Sequence, residues 1–148
     1  MRLFPVFLAG CTLHTPFSGP GWDGALSTDA EGPFVVVVTH TRPVKEHRDA
    51  FDDHVDAITA QLADQPGFVG SSLRGRLVGR EVWTLTVWED EESIADFVTS
   101  GAHWEALQDV EVIEGIGTVE WAIEPDALPP SWSDALDRLD AVEANPPW

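Results

Sequence analysis

His47 and His54 are seven residues apart and flank Phe51, so on a helix both project close to its apolar stripe. Imidazole titrates near neutral pH, and inward-facing groups of this kind can serve catalysis or ligand binding, or sit half exposed at the stripe's edges. His40 ends an apolar run, on the same side as Val36 and Val38. Arg74 and Arg76 come shortly before Trp83, which allows a cation–π pair, part of an anion site, or a solvated sheet face. Cys11 is the single cysteine, so no internal disulfide forms, and no Cys/His spacing suggests zinc.

The elements that position these groups follow from periodicity. Phe34 to Thr41 is a β-branched run bounded by Pro33 and Pro43, which predicts a strand covered on both faces. Val44, His47, Phe51, Val55, Ile58 and Leu62 then recur at helical spacing, predicting an amphipathic helix of about five turns. Gln65-Pro66-Gly67 stops it. Phe68 to Val78 and Glu81 to Trp88 read as a hairpin closed by Gly79-Arg80 as a type II′ turn, a register that sets Arg76 opposite Trp83 and Arg74 opposite Leu85.

Asp90 to Glu92 place negative charge at the start of a helix that buries Ile94, Phe97 and Val98. Ser100 is positioned to cap a second short helix carrying His103, Trp104 and Leu107. A loop through Glu114-Gly115 leads to a last strand, Gly117 to Ile123. Ser131 to Asp134 has capping-box spacing ahead of a final helix with Trp132, Ala135, Leu139 and Val142 on its stripe. The core order is strand, helix, strand, strand, helix, strand, the ferredoxin-like βαββαβ arrangement of the α+β class. The expected division is residues 1–33 as an N-terminal extension, 34–125 as the α+β domain, and 126–148 as a C-terminal helix and tail.

Trp83, Leu85 and Val87 share one face of their strand, while Val82, Thr84, Thr86 and Trp88 share the other. Both faces are largely apolar, and about four strands leave no second sheet to spare, so the expectation is a homodimer.

Composition bounds the setting. The chain has 148 residues, with 26 Asp plus Glu against 8 Lys plus Arg and a net charge of -18. Such repulsion is relieved by salt, since the screening length falls from about 10 Å at 0.1 M to about 3 Å at 1 M. A halophile's cytoplasm is the natural setting. Nucleic acid is not an expected partner, because phosphate contacts need clustered basic residues. No run approaches the ~18 apolar residues of a membrane helix. Leu8-Ala9-Gly10-Cys11 resembles a bacterial-type lipobox, but the preceding apolar run is short and contains Pro5, which suits a strand or arm.

Pro66-Gly67-Phe68, Trp88-Glu89, the acidic residues 90–92 and Ser100 to His103 together resemble the dimeric α+β barrel superfamily, in particular its antibiotic-biosynthesis monooxygenase family. The tail from Val119 through Trp121 to Leu139 is similar to a family of unknown function in that superfamily. The resemblance implies two sheets packed face to face across a dimer, with a pocket between each sheet and its own helices. It also implies oxidation of aromatic or polycyclic substrates without metal or flavin, the deprotonated substrate giving an electron to dioxygen.

On that reading His40, His47, His54 and His103 are candidate bases, and Phe51, Trp83, Trp88, Phe97 and Trp104 are candidate substrate contacts. No cofactor is expected. Haem, which related proteins degrade, is an alternative, although Leu107 falls near the expected ligand position and His103 is one turn early. Some members use Asn, Trp and Tyr at the site; this chain has no Tyr, and its only Asn is Asn145. A non-catalytic dimer that binds a hydrophobic small molecule fits the same residues.

Overall fold

The computed structural model describes residues 12–76 and 79–144. Leu3 to Cys11, with the lipobox-like stretch, and Asn145 lie outside them. Nine elements follow in order: β1 (Thr12–His14), β2 (Phe34–Pro43), α1 (Arg48–Ala63), β3 (Phe68–Arg76), β4 (Val82–Trp88), α2 (Glu91–Val98), α3 (Gly101–Gln108), β5 (Ile113–Ile123) and α4 (Trp132–Ala144). The strands form one antiparallel sheet in the order β1-β3-β4-β2-β5. Its last four strands, with α1 to α3, make the expected ferredoxin-like βαββαβ unit. No helix of the described residues is long and apolar enough to cross a membrane.

Pro66-Gly67-Phe68 has a structural cause. Gly67 has φ +75°, and a Cβ there would stand 2.6 Å from the Cβ of Ser93 in the first turn of α2. Only glycine combines that φ with so close an approach. The Gly67 carbonyl accepts the Glu89 N–H at 2.8 Å, and the Asp90 carboxylate caps α2 by accepting the Ser93 N–H at 2.7 Å. The Asp90 carboxyl is held below its ordinary pKa, first by that backbone N–H and then by the Ser93 hydroxyl.

Each sheet face packs a different layer. On one side Leu62, Phe68, Trp88 and Phe97 form a core with Ile58, Ile94 and Val98, so α1 and α2 cover Val35 and Val37 of β2. On the other, Phe34, Val36, Val38, Val69, Leu85 and Val87 are buried beneath Ala135 and Leu139 of α4. Phe17, Trp22, Leu26 and Ala30, from the segment before β2, complete that cover. Two apolar faces are therefore satisfied within one chain. The premise that only a partner's sheet could cover the second face is corrected, because α4 and the 17–30 segment occupy it.

Three local expectations are also corrected. At the turn end Gly75 pairs with Val82, so Arg74 stands opposite Trp83 rather than Leu85, and a separate bulge at Val69 lets Gly70 pair with Val87 while Phe68 pairs with Trp88. The link between β3 and β4 is accordingly longer than a two-residue turn. Arg76 still reaches Trp83, its guanidinium 5.6 Å from the ring centroid. Glu114 and Gly115 lie within β5, because Gly115 pairs with Arg42 of the long β2. Ser100 does not cap α3; its hydroxyl donates back to the Asp96 carbonyl at 2.6 Å.

Candidate functional site

Helix α1 meets the sheet unevenly. Its C-terminal half sets Ile58 and Leu62 against Phe68 and Trp88. Its N-terminal half stands off from the β1-β3-β4 end, where Gly75 has no side chain and a Cβ added there would meet nothing within 4 Å. The result is a cleft of about 440 Å³ between sheet and helix. Phe51 and Val55 form its helix wall, and Leu13, Leu73 and Val82 its floor. These floor residues share a face because Leu13 and Val82 both flank Gly75 in the ladder and Leu73 is two residues away on the same strand.

Arg48 and Asp52 stand at the mouth, with side chains 42% and 54% exposed. The Arg48 Nε–H donates to Asp52 Oδ1 at 2.8 Å, and its guanidinium lies 5.7 Å from the Phe51 ring centroid. An apolar slot with a cation and a carboxylate at its rim can take a flat hydrophobic molecule and hold a negatively charged oxygen at the open end.

Of the nine candidate residues, the cleft gathers Phe51 alone. His47 is exposed, in the single 3-10 turn before α1. His54 is half-buried and ties α1 to the end of α3, its Nε2 3.0 Å from Asp109 Oδ2. Trp88 and Phe97 are core residues, with ring centroids 5.0 Å apart, and Trp104 is exposed on α3. His103 packs on Phe97 with centroids 4.7 Å apart, and its Nδ1 is buried without a partner among the described residues. Burial pushes the His103 pKa below 6.5, with the Val98 carbonyl opposing the shift. His103 does not line the cleft, so a haem ligated by it would not lie there.

His40 and Trp83 face the α4 side instead. Their rings stack at 4.7 Å and 5°, and the imidazole bridges Glu81, at 3.2 Å from Nε2, and Glu143, at 3.0 Å from Nδ1. Gly117 leaves room for this bridge, since a Cβ there would lie 2.5 Å from Glu143 Oε1. Among the described residues no group of three or more His, Cys, Asp or Glu is placed to hold a metal ion.

Arg48, Asp52 and Gly75 were not singled out by sequence reasoning. The signal for the first two was their i,i+4 spacing around Phe51; for Gly75 it was a glycine inside an apolar strand.

Comparison with known proteins places this geometry. No curated protein matches the chain. Among solved structures, PA3566 of Pseudomonas aeruginosa superposes with a TM-score of 0.57 at 10% identity, over 62% of this chain and 95% of that one. Rv0793 of Mycobacterium tuberculosis superposes with a TM-score of 0.55 at 16% identity, over 60% and 93% of the two chains. A conserved protein of Methanosarcina mazei gives 0.55 at 15% identity, over 62% and 93%. At such identities these establish the fold. The sequence of residues 34–109, from β2 through α3, matches the model of the Antibiotic biosynthesis monooxygenase family. That match covers just over half of the chain and takes in α1 and most of its cleft, and with it the chain belongs to the antibiotic biosynthesis monooxygenase family.

Proposed function

We propose that the α1 cleft is a substrate site for a hydrophobic, ring-bearing molecule, which the protein oxidises with dioxygen without metal, flavin or haem. The observation that carries this reading is the apolar slot of Phe51, Val55, Leu73 and Val82 with Arg48 and Asp52 at its mouth, within a monooxygenase-family fold. Asp52 accepts a proton from the substrate's acidic O–H or C–H, and Arg48 holds the resulting oxyanion. The substrate anion is then the electron donor to dioxygen.

A second reading, binding without turnover, has its own support. None of His40, His47, His54 and His103 lines the cleft. The two readings separate by experiment. Cofactor-free protein is titrated with hydroxylated polycyclic aromatics while ligand binding and oxygen uptake are both followed. Turnover requires uptake that Asp52→Asn abolishes while binding persists, and Gly75→Phe, which fills the cleft from its floor, abolishes both. Saturable binding with no uptake selects the binding reading, and absence of binding removes the cleft from either.

The acidic surface supports operation in a saline cytoplasm. Homodimerisation, no longer required by the sheet face, is proposed through the open edge of β5, where Ile116 is 60% exposed and the preceding turn carries Val110, 71% exposed.

A further inference from the structure

A second cleft, of about 340 Å³, opens on the opposite side of the sheet between the strand ends and α4. In a chain with 8 Lys plus Arg against 26 Asp plus Glu, three of the eight, Arg42, Arg74 and Arg76, converge on it together with His40. Two of these arginines share one carboxylate: Glu81 lies 3.5 Å from Arg42 and 3.0 Å from Arg76, and it also contacts His40. Glu143 takes the other side of the imidazole.

Arg74 is different. Every Asp and Glu of the chain lies among the described residues, and none is within 4.0 Å of its guanidinium. It rests on Trp132, 5.8 Å from the ring centroid, with its Nε buried and lacking an acceptor among the described residues. A planar, permanently charged fork without a side-chain carboxylate partner is suited to a carboxylate ligand. Leu136 and Leu139 of α4 give the cleft an apolar wall, and Asp140 on the same helix is its third carboxylate.

We propose that this cleft binds a small organic carboxylate, the oxygens on Arg74 and the hydrocarbon part against Leu136 and Leu139. The α4 wall of this cleft lies across the sheet from Phe51 and Val55 of the α1 cleft, although Arg74 and Arg76 border both.

The test is calorimetric titration of the full chain with benzoate, acetate and inorganic phosphate, at constant ionic strength set by sodium chloride. It is run on the wild type and on a Gly75→Phe background whose α1 cleft is filled. Saturable one-to-one binding of benzoate in both is expected, tighter than acetate. Arg74→Gln should weaken it at least tenfold with the near-UV spectrum unchanged, whereas Asp140→Asn, which removes a repelling charge, should strengthen it. Equal affinity in wild type and Arg74→Gln, loss of binding in the Gly75→Phe background, or phosphate binding without benzoate binding would overturn the assignment.

Discussion

Leu139→Ala tests the claim that α4 closes the sheet within a single chain. Leu139 is 1% exposed, on the stripe that faces Val36, Val38 and Leu85. Removing three carbons from a buried site forfeits about 0.8 kcal/mol per methylene-sized group, roughly 2.4 kcal/mol. The unfilled cavity adds to this, and buried Leu→Ala changes span about 2–5 kcal/mol. For a chain of this size each kcal/mol lowers Tm by about 2–4 °C, so a drop on the order of 10 °C is expected.

The measurement is thermal and urea unfolding by circular dichroism at molar salt, with Val142→Ala as the control. Val142 is on the same helix but 36% exposed, and its loss should stay within about 0.5 kcal/mol. The loss caused by Leu139→Ala should also be the same at every protein concentration, because the cover is intramolecular. Equal, small effects of the two substitutions would refute the docking of α4. A midpoint that rises with concentration for the wild type and not for Leu139→Ala would show that the face is covered by another copy.

Gly67→Ala should be among the most damaging single-methyl additions, since it joins a φ of +75° to overlap with Ser93; loss of well over 1 kcal/mol in urea unfolding is expected, and a neutral effect would refute the close approach. His103 gives a pH signature. Its folded pKa lies below 6.5, so the folded state binds fewer protons than the unfolded one as pH falls. The stability tied to its neutral form is complete above about 6.5, the unfolded value, and is lost as pH drops from there through the folded pKa. The difference in urea midpoint between wild type and His103→Gln should therefore change across pH 5–7; parallel curves would show that burial does not govern this group.

How much of this was legible in the sequence depended on which physical rule was at work. The alternation of Trp83, Leu85 and Val87 against Val82, Thr84, Thr86 and Trp88 fixes the two faces of β4, because strand side chains repeat every two residues. Periodicity says that a face is buried and does not say by what. The stripe of Trp132, Ala135 and Leu139 was visible, but its docking onto Val36 and Val38 is a tertiary event without a local signal. The bulge at Val69 and the longer β3–β4 link were equally hidden: the link alone moves the partner of Arg74 by two residues, from Leu85 to Trp83, and nothing in the local composition marks either. At the site, Phe51 was readable from the α1 stripe. Gly75 gained meaning only once the ladder placed it beneath Phe51, and His40 showed its face but not the carboxylates that hold it.

The sheet order constrains how chemistry and assembly can coexist. A partner's sheet could reach Val36, Val38, Leu85 and Val87 only by displacing Ala135, Leu139, Trp22 and Phe17, returning apolar surface to water at about 25 cal/mol per Å². Pairing along the outer edge of β5 carries no such cost. β5 and β1 are opposite edges of the sheet, and the α1 cleft lies at the β1 end, with Leu13, Leu73, Gly75 and Val82 beneath it. Association through β5 therefore leaves that cleft open to its ligand, whereas strand addition at β1 would build directly against Leu13 at its rim. Any assembly compatible with the proposed activity must leave the β1 edge free.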